Sequence, residues 1–252
     1  MFHVKRHNGE IEKIVSQAAA WGFDMTPKCA SRLVEYAVCL ASYKESNVIG
    51  TRHLEDIVEE HILDSMSCML FGGLKEAREL VDVGSGGGLP GLPLAIAMEG
   101  LNVSLVESTS KKTKFLDEVV EYLGVSNVRI VNARAEDAGG SKEFRGRFDI
   151  AMARALASLD VIAEYSLPLV RLGGHVIAMK ARVEKNELDD GRTAAKHLGG
   201  KIVDVIPVER LPIYEPKQRS LIVFKKVART PDKYPRRTGL PAKKPLGEIG
   251  KR

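Results

Sequence analysis

The residues best placed for chemistry lie in one run, Asp82-Val83-Gly84-Ser85-Gly86-Gly87-Gly88-Leu89-Pro90-Gly91, which follows the apolar Leu80 and Val81. Glycines at 84, 86 and 88 admit φ > 0 and let the backbone approach a ligand closely, while Pro90 or Pro93 suits the first turn of a helix predicted over 92–98. Oriented amides at that helix start favour a carboxylate or phosphate. Two cofactor classes use such a turn. Gly86-x-Gly88-x-x-Gly91 matches the dinucleotide fingerprint, whereas Asp82-x-Gly84-x-Gly86-x-Gly88 matches a loop that binds S-adenosylmethionine (SAM). Glu107 ends a strand predicted over 101–107, roughly 20 residues beyond the turn, where an acidic side chain binds ribose hydroxyls in either class. A tight strand-to-helix turn with no ligand is the plainer alternative, but three alternating glycines cost more backbone entropy than a plain connection needs.

The acceptor side is read from Arg154, the last residue of a strand predicted over 148–154. Enzymes that methylate exocyclic amines of bases place an Asn/Asp-Pro-Pro-aromatic motif after this strand, and those that methylate a pyrimidine carbon place a cysteine there. This chain has Arg154-Ala155-Leu156-Ala157, no cysteine beyond Cys68 and no histidine between His61 and His175. Neither a thiolate nor a nearby imidazole base is evident. An acceptor that needs no deprotonation meets that constraint. Guanine N7 is one, because its in-plane lone pair needs mainly in-line placement, a contribution of up to roughly 7–11 kcal/mol. Arg154 can hold guanine O6, a phosphate or a cofactor carboxylate, or serve only in a structural ion pair.

The elements that must position these residues follow from periodicity. Residues 9–75 predict helices at 10–21, 27–43 and 51–66, the last with Leu54, Ile57, Val58, His61 and Ile62 at helical spacing. From Leu80 onward the pattern alternates. Strands at 80–83, 101–107, 128–131, 148–154 and 175–180 are separated by helices at 92–98, 111–123 and 159–169 and a short segment at 135–138, and a helix at 184–197 follows. That alternation implies a parallel sheet with helices on both faces. Strands at 202–208 and 220–226 have no helix between them, since 210–219 with Pro212 and Pro216 reads as a connecting loop, which predicts an antiparallel hairpin. Seven strands with an antiparallel end match, by fold analogy, the Rossmann-like SAM-dependent methyltransferase sheet rather than the second βαβαβ half of a dinucleotide fold. Ligands then gather outside the carboxyl ends of the parallel strands, so residues 84–88, Glu107, 134–137 and 154–155 should converge. Ala135 and Glu136 fall where an adenine would lie, unless Glu136 and Asp137 are only solvated or helix-start charges.

Composition bounds the rest. With 252 residues, 44% apolar and 28% charged, the chain reads as an ordinary α/β domain with appendages. No apolar run reaches the ~18 residues of a membrane span and the N-terminus lacks a signal-peptide core, so a cytoplasmic protein with no membrane partner is expected. Three cysteines without metal-ligand spacing argue against disulfides or a metal site. The three regions are a helical cap at 1–78, a catalytic domain at 79–227 and a basic arm at 228–252. In that arm eight basic residues face two acidic ones while the whole chain carries only +5, so all the net positive charge lies in the arm. Its prolines and glycines predict an extended, unpacked segment, and Arg236, Arg237, Lys243 and Lys244 on it suit phosphate contacts.

Together these residues carry a family resemblance. The Asp82 to Gly91 run, the upstream His61-Ile62-Leu63-Asp64-Ser65, the downstream Ser110-Lys111-Lys112 with Phe115-Leu116, and Arg154-Ala155-Leu156-Ala157-Ser158-Leu159 resemble the RsmG (GidB) family. The tail from Tyr234 to Leu246 is similar to the C-terminal extension of some members. The resemblance implies methyl transfer from SAM to N7 of a guanine in 16S rRNA, in the 530 loop of the small ribosomal subunit, by a monomer. It further implies that Gly84, Gly86, Gly88 and Leu89 line the SAM site, that Glu107, Ser108 and Thr109 bind the ribose side, that Ala135 and Glu136 flank the adenine, and that Arg154 closes the site beside the base. Two departures stand out: Glu60 occupies a place where many members have arginine, and Asn47-Val48-Ile49 replaces Asn-Leu-Thr. The alternatives are an NAD(P)-dependent oxidoreductase on the same turn and a non-catalytic RNA-binding module that responds to SAM.

Overall fold

The structure, a computed structural model, describes residues 7–45, 47–208 and 219–248. Most of the connector expected over 210–219, and the basic Lys251 and Arg252, lie outside the described residues. Two helices, α1 (Asn8–Ala20) and α2 (Pro27–Ser42), open the chain. Thr26 caps α2 by accepting from the Cys29 amide at 3.2 Å, and Pro27 follows in the first turn, where its missing N–H costs nothing. The helix predicted over 51–66 begins only at Leu54, because the Thr51 hydroxyl turns back to accept from the His53 amide. It then runs as α3 (Leu54–Ile57), a π-helical stretch (Val58–Leu63) and α4 (Asp64–Met66). Such wide turns occur mostly as single-turn insertions at functional positions.

The sheet comprises β1 (Glu79–Val83), β2 (Asn102–Glu107), β3 (Val128–Asn132), β4 (Phe148–Arg154), β5 (Val170–Lys180), β6 (Gly200–Pro207) and β7 (Ser220–Lys226). Their order is β3-β2-β1-β4-β5-β7-β6. The first five are parallel, β7 pairs antiparallel with β5, and β6 pairs antiparallel with β7. This is the expected seven-stranded arrangement with its closing hairpin. Helices α5 (Gly91–Ala97), α6 (Ser110–Leu123), α7 (Ala135–Gly140), α8 (Leu159–Ser166) and α9 (Lys185–His197) make the crossovers.

Alternate strand residues face opposite sides, so the sheet has two cores. Leu80, Val103, Leu105, Ile150 and Met152 join the helical cap, α5 and α6 in one cluster, which makes the cap part of the sheet's own core. Val81, Val83, Val106, Ala151 and Ala153 join α8 and α9 in the other. That second face carries a correction. The segment after β7, expected as an unpacked arm, is packed there: Tyr234 and Leu246 are buried in the second cluster, and α10 (Leu240–Lys243) follows an ordered turn. The Arg145 guanidinium holds it by donating to the carbonyls of Thr230 at 2.9 Å, Pro231 at 3.2 Å and Tyr234 at 2.7 Å. Gly247 donates its amide to Asp160 at 3.2 Å. Charge and proline content suggest solvation; the apolar side chains and backbone carbonyls of the segment find partners that composition does not reveal.

Candidate active site at the carboxyl ends of the strands

The glycine turn between β1 and α5 takes the left-handed backbone its sequence predicts, with φ of 70° at Gly84, 58° at Gly86 and 98° at Gly88. The three glycines serve different ends: at Gly84 an added Cβ would stand 2.6 Å from the Leu156 side chain. Gly88 faces inward, where an added Cβ would stand 2.9 Å from Leu116 and 3.1 Å from the Tyr36 hydroxyl. Gly86 faces open space, with nothing nearer than the Gly84 carbonyl at 4.0 Å. The fully buried Tyr36 donates its hydroxyl to the Gly87 carbonyl, so α2 of the cap braces the turn from behind. Leu89 is buried in the same cluster as Tyr36.

Asp82 braces the far end. Its carboxylate accepts from the Gly91 amide at 2.9 Å, and only glycine fits there, since a Cβ would lie 2.5 Å from Leu105 and 2.9 Å from the Asp82 Cβ. Complete burial, opposed by that amide and by the Arg154 charge, pushes the Asp82 carboxyl up to about 7. One of its oxygens and the Ser85 hydroxyl, both buried, have no hydrogen-bond partner among the described residues.

Glu107 closes β2 beside the turn. Its carboxylate accepts from the Gly86 amide at 3.0 Å and from the Thr109 amide at 2.7 Å. A carboxylate offers about four acceptor positions, so two remain for a donor pair such as ribose hydroxyls. Ser108 and Thr109 are exposed at this rim. Across the sheet, Arg134 leads into α7, where Ala135 is half-buried and Glu136 is buried, its carboxylate accepting from the Gly239 amide at 2.8 Å. It is met by the packed segment and by Tyr165 rather than by solvent, so the solvated-loop alternative for Glu136 does not hold.

Arg154 ends β4, and Ala155 after it has φ of 49°, a left-handed conformation uncommon for alanine. The Arg154 guanidinium donates to Asp64 at 3.1 Å and to Nδ1 of His61 at 3.0 Å. Because a guanidinium only donates, Nδ1 must be the unprotonated nitrogen of a neutral ring. Burial and then the Arg154 charge push His61 down to about 4. Arg219 Nε sits 3.3 Å from the other Asp64 oxygen. A cleft of about 330 Å³ opens here, bounded by Glu60, His61, Arg154, Lys180, Arg182 and Arg219. The sequence places no imidazole near Arg154, because His61 lies 93 residues away; the cap carries it in. Cys68 is also drawn in, fully buried, where burial pushes its thiol well above the ordinary range.

Of the four basic residues assigned to RNA, the structure divides one from three. Arg236 gives its backbone amide and guanidinium to Glu164, with Nη2 to Oε2 at 2.6 Å. Arg237, Lys243 and Lys244 are exposed.

Residues 30–211 match the family model GidB, described as rRNA small subunit methyltransferase G. Among relatives, the Ribosomal RNA small subunit methyltransferase G of Rubrobacter xylanophilus is 48% identical over 97% of this chain and 94% of its own length. That of Alkaliphilus oremlandii is 37% identical over 94% and 99%. In fold, the chain is similar to a 16S rRNA (adenine(1408)-N(1))-methyltransferase from Catenulisporales acidiphilia, with a TM-score of 0.51 at 14% identity over 66% of this chain and 93% of that one. The mitomycin 7-O-methyltransferase MmcR gives 0.53 at 12% identity over 66% and 54%. The sheet order, the glycine turn and the near-complete alignment agree, and the chain belongs to the rRNA small subunit methyltransferase G family.

Proposed function

We propose that the protein transfers a methyl group from SAM to N7 of a guanine in small-subunit 16S rRNA. When bound, SAM supplies an electrophilic methyl on a sulfonium. The residues fit it: an open backbone at Gly86, a buried carboxylate at Glu107 with two free acceptor positions, and the α7 wall at Ala135 and Glu136. Glu107 binds the ribose hydroxyls, and Gly84 and Leu89 border the methionine side.

The observation that carries the acceptor reading is the state of the groups around Arg154. His61 spends its lone pair on Arg154 and is too weak a base at about 4, and the buried Cys68 thiol stays protonated. Neither takes a proton from the acceptor or attacks it, which suits an atom with its own in-plane lone pair. Arg154, oriented by Asp64 and His61, presents fixed donors to guanine O6 or to a phosphate. Arg237, Lys243 and Lys244 on the packed C-terminal segment add phosphate contacts. The test is tritium transfer from labelled SAM to small-subunit RNA, with the modified nucleotide mapped by cleavage at N7-methylguanine. Label on any other atom overturns the acceptor, and no transfer to the RNA, naked or in the subunit, overturns the function.

A further inference from the structure

We infer that residues 234–239 form a positioning strap for the cofactor site: they hold α7, and with it the wall at Ala135 and Glu136, so that the C-terminal segment sets the affinity for SAM. The inference rests on reading that wall as the adenine side of the site.

Helix α7 has little to hold itself in place. Six residues fall well short of the ~12–15 at which an isolated helix is even marginal, and two of the six are Gly139 and Gly140. No side chain caps its start. Beyond the packing of Ala138 and a bond from Tyr165, its partners come from the far end of the chain. The Gly239 amide donates to Glu136 at 2.8 Å and the Thr238 hydroxyl to Asp137 at 3.2 Å, so neighbouring strap residues hold both acidic side chains of the first turn. The Pro235 ring lies 3.0 Å from where a Cβ on Gly139 would stand. One amino group of Arg145 donates both to the Gly139 carbonyl at 3.0 Å and to the Tyr234 carbonyl at 2.7 Å, which ties the end of α7 to the strap.

The strap in turn is anchored away from α7. Arg236 grips Glu164 of α8 with its amide and guanidinium, and that carboxylate is completely buried. Tyr234 is buried in the second core. The strap is thus fixed to α8, and it ties down the first turn and the end of α7, whose Ala138 packs into the second core. Tyr165 also bonds Glu136, but from α8, on the anchored side. Without the Gly239 amide the buried Glu136 carboxylate loses a backbone donor and must turn toward other partners, and the wall moves with it. Cofactor sites need such walls held to about half an ångström.

Gly239 offers a clean test because it has φ of 78° and nothing within 4 Å of its would-be Cβ. Gly239→Pro removes the N–H and cannot take positive φ, whereas Gly239→Asn keeps the N–H and tolerates that backbone. The full-length protein and both variants are titrated with SAM by calorimetry well below their unfolding transitions, and amide exchange is followed at residues 136–140. The proline variant should bind SAM at least about tenfold more weakly, the scale of one hydrogen bond to a charged group, and exchange faster in α7. The asparagine variant should bind SAM as the parent does. Equal SAM affinity in the proline variant overturns the strap, as does an asparagine variant as weak as the proline one. A parent that does not bind SAM overturns instead the reading of the site.

Discussion

Removing the Arg154 guanidinium should damage stability and catalysis together, and the two can then be separated. Arg154 is 15% exposed and Asp64 6%, so Arg154→Ala takes from a buried carboxylate its partner at 3.1 Å while Arg219 stays 3.3 Å away, and leaves Nδ1 of His61 without its donor. Breaking a buried pair typically costs about 3–5 kcal/mol, and the remaining arginine places this case near the low end, at about 3 kcal/mol. For a chain of this size that corresponds to a fall in Tm of roughly 6–12 °C. Methyl transfer should fall with it, because the same guanidinium faces the cleft. The double variant Arg154→Met/Asp64→Leu removes both charges and should recover most of the Tm, since an apolar pair of similar volume is often as stable as a buried ion pair. It should not recover transfer. Thermal melts, SAM calorimetry and tritium transfer are run on parent, single and double variants. A double variant with parental transfer would show that Arg154 only holds the cap to the sheet. A single variant that melts with the parent would show that the Asp64 pair contributes nothing measurable.

Glu107→Ala should weaken SAM binding at least about tenfold, because two ribose hydroxyls lose a charged acceptor worth about 1.5–3 kcal/mol each; unchanged calorimetric affinity refutes the ribose assignment. His61 is held below its ordinary value, so its contribution to stability is full above about 6.5 and is lost as the pH falls toward 4; melts from pH 7 to pH 4 should show this limb in the parent and a flatter one in His61→Gln. Asp82 is raised, so its contribution has the opposite sign: full below 3.8 and lost as the pH climbs through about 7, a limb that Asp82→Asn should remove. Replacing Arg237, Lys243 and Lys244 by alanine should leave SAM affinity intact and make the log–log salt slope of RNA binding shallower by roughly 0.7–0.9 for each phosphate that these side chains neutralise. A slope equal to the parent's would remove these three from the RNA interface.

The sheet was readable from the sequence because its signals are local. Alternation of strands and helices, three glycines at spacing two and the acidic residue ending the next strand each report on a few adjacent residues, and the backbone at Gly84, Gly86 and Gly88 follows them. Boundaries moved where a side chain competes with the helix, as Thr51 does before α3. Partners of buried charges were not readable. Nothing near Arg154 in the sequence points to Asp64 or His61, about ninety residues earlier, and nothing near Glu164 points to Arg236. A salt bridge requires only that two side chains meet in space, and its members share no period.

The failure over the C-terminal segment shows where composition misleads. Proline, glycine and excess positive charge describe a chain that cannot bury enough apolar surface by itself. This segment does not need its own core, because Tyr234 and Leu246 enter one already built by α8 and α9, and its carbonyls are met by the single Arg145 guanidinium. The positive charge is then partly internal: Arg236 neutralises Glu164, and only Arg237, Lys243 and Lys244 of the four remain for a polyanion. The same logic applies at the other end of the chain, where the cap delivers Asp64 and His61 to Arg154. The parallel strands set where the loops emerge, and the two outer segments supply the groups that keep Arg154 and Glu136 in place. Changes to the groups that hold Arg154 or Glu136 should therefore alter substrate or cofactor affinity, respectively, without touching the glycine turn.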